Sequence, residues 1–170
     1  MSEPSAWPHR VAVVVLALLG AAIATYLTLY QWQVTSSVWD PIFGPGSSEA
    51  VLTSPISRML PLPDATLGAI AYLVEALLAG LGGTDRWRRQ RGLVLVYGIA
   101  LAGLALTSVG LVLVQLLVVH AFCTLCLSSA ALSWVNAWLG HGEVIAALKP
   151  FTELHLEESG CKLQISDQKS

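Results

Sequence analysis

The stretch His120-Ala121-Phe122-Cys123-Thr124-Leu125-Cys126 holds two of the chain's three cysteines and lies between two long apolar runs, where one membrane helix should end and another begin. On a helix, positions i and i+3 share a face, so Cys123 and Cys126 can meet there. Slight irregularity at the helix start brings them within disulfide reach. Thiols in a first helical turn feel the positive end of the macrodipole, which favours the reactive thiolate. A dithiol at a membrane edge can therefore shuttle between thiol and disulfide. Two other readings stand beside this one. Free cysteines are often small apolar packing residues. A metal on His120, Cys123 and Cys126 lacks the nearby fourth ligand that structural zinc requires.

The 170 residues are 55% apolar and only 12% charged, and the mean hydropathy is +0.66. Such a composition excludes an ordinary soluble domain, while the net charge of −2 says little. One distant cysteine and one close pair do not make a disulfide framework, so the pair is chemical rather than architectural. There is no phosphate-binding glycine loop, no solenoid repeat and no nucleic-acid signature. The first apolar run is as long as a full span and has no clean small-residue cleavage site, so no cleaved signal peptide is expected.

Working outward, the pattern predicts an all-α integral membrane protein with four spans, at about 11–30, 65–81, 92–119 and 121–139. These make a membrane domain over 1–140, followed by a polar tail over 141–170 that is at best a frayed helix. Tyr26, Tyr30 and Trp32 read as an interfacial belt, as do Trp134 and Trp138. The third span is long enough to tilt, and Gly98, Gly103 and Gly110 suggest close helix approach along it. Residues 31–64 form a loop that is long for a connector. Asp40-Pro41 and Gly44-Pro45-Gly46 supply turns. Ser47 is positioned to cap a short helix, with Glu49 in its first turn. Leu52, Ile56, Met59 and Leu60 follow helical spacing, interrupted by Pro55. The loop reads as a lid over the bundle mouth, with Trp39 and Phe43 dipping into the interface. The basic run Asp85-Arg86-Trp87-Arg88-Arg89-Gln90-Arg91 belongs in the cytoplasm by the positive-inside rule, and His9 and Arg10 agree. Four spans then put both termini inside. The lid and the cysteine pair fall outside, where disulfides persist, and Cys161 is a cytosolic thiol. Glu75 falls about 15 Å down the second span. It serves either a proton path or a neutral hydrogen bond to Thr107 or Ser108. His120 is a proton donor or simply an interfacial histidine.

In this order and spacing, three segments resemble the vitamin K epoxide reductase family. They are Cys123-Thr124-Leu125-Cys126, Val51-Leu52-Thr53-Ser54, and Pro63-Asp64-Ala65 with Gly68 and Tyr72; the match covers nearly the whole chain. The resemblance implies a four-helix bundle around a quinone of ubiquinone or menaquinone type, and oxidation of partner thiols. It implies that Cys126 faces the quinone and that Cys123 receives electrons, from a thioredoxin-like extracytoplasmic protein in a bacterial inner membrane. It also implies that Ser54 and Asp64 lie near the quinone. Two departures stand out. Ala130 replaces an aromatic hydrogen-bonding residue of animal members. Ser48 and the Asp40 region stand where the family carries two loop cysteines that relay electrons. The expected function is a membrane thiol:quinone oxidoreductase that supports disulfide formation. The rival readings are a degenerate quinone- or lipid-binding subunit without turnover, and a metal-binding membrane protein. No thioredoxin-like domain is expected in the tail, which is too short to build one.

Overall fold

The structure is a computed structural model that describes residues 7–55, 57 and 62–167, with side chains described to residue 149. Every regular element among the described residues is helical. Helix α1 spans Trp7–Gln31, α2 Ser47–Leu52, α3 Asp64–Gly80, α4 Arg86–Arg89 and α5 Arg91–Val114. A π-helical turn, Gln115–Val119, extends α5, and α6 covers Thr124–Asp167. The helices over Trp7–Gln31 and Arg91–Val119 are long and apolar enough to cross a membrane. Large apolar side chains such as Leu77, Ile99, Leu106 and Leu117 point outward, as expected of a lipid-facing surface.

Helices α1 and α3 pack closely because the faces they share are small. Ala17, Ala21 and Ala24 meet Ala69, Tyr72 and Ala76, so the backbones approach as small-residue interfaces in membranes allow. Gly20 is essential to this seam, since a Cβ there would lie 2.6 Å from the Tyr72 ring. Val13, Ala79, Tyr97 and Leu101 form a second core cluster toward the other end. On α5, Gly98 faces Val144, whereas Gly103 and Gly110 meet no atom within 4 Å. Close approach on that helix is thus confined to one of the three glycines the sequence suggested. The partner glycine Gly140, on α6, packs against Leu101 and Tyr97.

At the end of α3, two guanidinium groups take up the carbonyls that a helix C-terminus leaves unpaired. Arg10 donates to the carbonyls of Ala79, Gly80, Leu81 and Gly82 at 2.7–3.0 Å. Arg86 donates to Leu78, Ala79 and Leu81 and pairs with Glu143 through two bonds of 2.5 and 2.7 Å. Arg86 is therefore buried structure, and Arg88 and Arg89 are the exposed arginines of the basic run.

Three sequence expectations change here. Helix α6 starts at Thr124 and runs without interruption to Asp167. Residues 120–123 are thus a link, and Glu143 and Ala147, assigned to the tail, are buried in the bundle. Ser47 lies inside α2 and does not cap it; left-handed Gly46 stands at the cap with no side-chain bond. Glu75 bonds neither Thr107 nor Ser108, and both its oxygens lack a partner among the described residues. Ile56, Met59, Leu60 and the Cys161 side chain lie outside the described residues.

Candidate functional site

The site forms where the loop, the α5–α6 link and the head of α6 converge. After the π turn, His120 adopts φ 52°, a left-handed conformation uncommon outside glycine, and turns the chain toward α6. Gln115, buried in the π turn, accepts the Cys123 amide at 2.9 Å through Oε1. Cys123 is 0% exposed and packs with Leu27, Val38 and Leu52. Its Sγ accepts the Cys126 amide at 3.1 Å. An amide donor at a helix N-terminus favours the thiolate form of the sulfur it faces. Both cysteines are free thiols. Among the described residues no three His, Cys, Asp or Glu side chains are placed to hold a metal, so His120 and the pair do not assemble into such a site.

Asp40 pins the loop over this centre. It accepts the Thr124 amide at 3.2 Å, the Ser48 hydroxyl at 2.6 Å and the Phe43 amide at 3.0 Å, and it also bonds the Thr124 hydroxyl. Burial alone would raise its pKa. The donors outweigh burial and hold the carboxyl well below the usual carboxylate range. Asp40 is thereby a side-chain cap for α6 supplied from across the fold. The Ser47 hydroxyl donates to the Phe122 carbonyl at 2.7 Å, and the Phe43 and Phe122 rings lie 5.3 Å apart. Trp39 is exposed and sits beside Tyr26, whose hydroxyl accepts the Trp39 amide. The lid is therefore tied by specific bonds on the cysteine side of the bundle. Asp40 and Ser48, both on the loop, are thus joined directly by a hydrogen bond.

Beneath the lid a narrow recess of about 80 Å³ is lined by Cys126, Asp64, Leu52, Gly68, Ser129 and Ala130. It shares Asp64, Gly68, Ser108, Leu111 and Ser129 with a larger cavity of about 500 Å³ between α3 and α5. The lining of that cavity includes Leu67, Ala71, Val74, Gly103 and Leu104. Gly103 therefore serves the cavity wall rather than helix contact. A polar-edged recess opening into an apolar slot suits a flat carbonyl-bearing ring with a hydrocarbon tail.

Asp64 is aimed by Gln31, whose Nε2 donates to Oδ1 at 2.6 Å and to Ser57 Oγ at 3.0 Å. Cys126 and Asp64 thus share the recess, with Cys123 directly behind Cys126. Ser54 is buried, but it is absent from both linings and its hydroxyl accepts the Ser57 amide at 3.4 Å. Ala130 presents only a methyl to the recess. Sequence reasoning missed Gln31 and Gln115 and did not see Asp40 as a capping group. Gln31 closes the first apolar run, Gln115 lies within the third and Asp40 stands in a loop turn, and none of these positions by itself shows which distant group the side chain meets.

The family model described as vitamin K epoxide reductase family matches residues 11–140. No curated protein matches the chain.

Proposed function

The chain belongs to the vitamin K epoxide reductase family, and from that premise we propose that it is a membrane thiol:quinone oxidoreductase working through Cys123 and Cys126. The family carries out membrane redox chemistry with quinone. One observation carries the finer reading: Cys126 lines the recess together with Asp64, while its partner Cys123 is buried beneath the loop.

Oxidation of the two thiols to a disulfide releases two electrons and two protons. A quinone takes up two of each on becoming a quinol, which is the chemistry the bound group supplies. Cys126 supplies the sulfur that faces the ring, and Cys123 closes the disulfide. Asp64, held by Gln31, orients the ring edge. The apolar walls of the larger cavity hold the tail and exclude water. Thiols of an external donor, of thioredoxin-like type, then reduce the disulfide by exchange at Cys123. The donor must displace the lid, because Cys123 has no exposed surface. The bonds that yield are those of Asp40 to Thr124 and of Ser47 to Phe122.

In this reading the bundle spans a bacterial inner membrane four times. Both termini are cytoplasmic, and the lid and cysteine pair are extracytoplasmic. The exposed Arg88 and Arg89 near the α3–α5 connection support that orientation. Ubiquinone and menaquinone types both suit the recess.

A second reading, a quinone binder without turnover, is favoured by the Asp40–Ser48 hydrogen bond standing in place of a thiol relay. The two separate in one assay. Purified protein is mixed with a dithiol and a short-chain quinone analogue, and quinol formation is followed. Turnover that Cys126→Ser abolishes supports the oxidoreductase; binding of the analogue without turnover supports the degenerate reading.

A further inference from the structure

One helical turn below Tyr72, the bundle buries a carboxyl that thiol–quinone electron transfer does not use. Glu75 is 0% exposed and neither of its oxygens is hydrogen-bonded among the described residues. The group facing it is the amide of Asn136 on α6, equally buried and also unpartnered at both its nitrogen and its oxygen. A charged group in such surroundings is expensive unless a counter-ion meets it, and a carboxyl retained inside a membrane helix marks function more often than packing. A carboxylic acid can donate to and accept from a primary amide, whereas a carboxylate here would face no cation among the described residues.

Above this pair, α6 presents Ser133, Ser129 and Cys126 on the same face, in steps of three and four residues. Ser133 Oγ lies 2.9 Å from Ser108 Oγ. Tyr72 donates its hydroxyl to the Ser129 carbonyl at 2.6 Å and lies 3.1 Å from Ser129 Oγ. Tyr72, Ser108 and Ser129 all line the large cavity, and Ser108 and Ser129 also line the recess beside Cys126. These hydroxyls therefore stand between the buried acid and the recess, with Tyr72 one helical turn from Glu75 and Ser133 one turn from Asn136.

We propose that Glu75 is the internal proton donor for quinone reduction, acting through the Ser133–Ser108 and Tyr72–Ser129 hydroxyls. The proposal rests on the thiol:quinone reading and deepens it. Electrons come from the two thiols, whose S–H bonds break as the S–S bond forms. One thiol proton passes to the quinone and the other leaves to solvent on the lid side. Glu75 gives up its carboxyl proton in its place, and a proton from bulk water restores the acid before the next turnover. The net reaction remains two thiols and one quinone giving one disulfide and one quinol.

The test uses the full chain in lipid nanodiscs, with dithiothreitol as donor and a short-chain ubiquinone analogue as acceptor. Glu75→Gln keeps the shape and leaves a neutral group facing Asn136 but removes the transferable proton. It should lower kcat about 100-fold while leaving the KM for the analogue within about twofold, and Glu75→Asp should restore part of the rate. Infrared spectra of the protein without quinone should show a protonated carboxyl C=O stretch that Glu75→Gln removes and that shifts when the analogue is added. A Glu75→Gln variant with wild-type kcat, or a wild-type spectrum with no such band, would overturn the proposal and leave the oxidoreductase reading standing. The infrared measurement on wild-type protein decides the matter even where the glutamine variant fails to fold. A wild-type protein that binds the analogue without reducing it defeats the oxidoreductase reading itself, and the proton donor with it.

Discussion

Asp40 is the residue on which access to the site turns, because its carboxylate binds the head of α6 and the loop helix at once. Replacing it by Asn removes the charge while keeping the shape. Alkylation of Cys123 by a small maleimide should then speed up about tenfold, the loss of a charge-assisted bond of about 1.5 kcal/mol. An unchanged rate would show that the lid is held elsewhere. Acid should have the same effect as the substitution. The folded-state pKa of Asp40 is depressed. Its contribution is therefore present above the ordinary aspartate value of about 4 and is lost as pH falls below it toward the folded value. Protection of Cys123 should accordingly be flat at neutral pH and weaken only under strong acid. At this scale residue type and spacing singled out Cys123 and Cys126, the resemblance alone singled out Asp64, and the structure brings Cys126 and Asp64 to one recess. The sequence was silent about Gln31 and Gln115, since an amide's role depends on which distant group it meets. Ser54 shows the converse: a hydroxyl placed by resemblance alone bonds its own turn and is absent from the cavity lining.

The elements teach the same lesson about range. Apolar run lengths located α1, α3 and α5 well, because hydrophobicity accumulates locally. The reach of α6 was not legible, because Gly140, Gly142 and Glu143 interrupt the apolar pattern and only Arg86, from another element, accounts for the burial of Glu143. The glycines divide likewise: Gly20 and Gly140 take close neighbours, whereas Gly103 and Gly110 do not. Gly20→Val should drive Tyr72 from the α1–α3 seam and destabilise the protein by about 1–3 kcal/mol, whereas Gly110→Ala should change stability little. Thermal unfolding in detergent compares the two, and equal midpoints would refute the seam. Arg86→Ala should cost more, about 3–5 kcal/mol, since it takes the guanidinium from buried Glu143 and from the Leu78, Ala79 and Leu81 carbonyls at the end of α3 together. A loss below about 1 kcal/mol, the range of an exposed pair, would place that contact in solvent.

At the scale of the molecule, the helices hold an apolar slot open beside a dithiol and close it with a lid that carries no cysteine. The orientation follows if the lid lies outside. A membrane-impermeant maleimide applied to intact cells expressing Asp40→Asn should label the pair after reduction, and labelling seen only after lysis would reverse the topology. The central claim is that the pair hands its electrons to a quinone, and a single turnover tests it most directly. Protein reduced anaerobically and freed of excess reductant is titrated with a short-chain quinone analogue, while free thiols and quinol are counted together. The account predicts that one equivalent of analogue yields one equivalent of quinol and consumes both thiols as an intramolecular Cys123–Cys126 disulfide. Quinone that binds while both thiols remain free would contradict it.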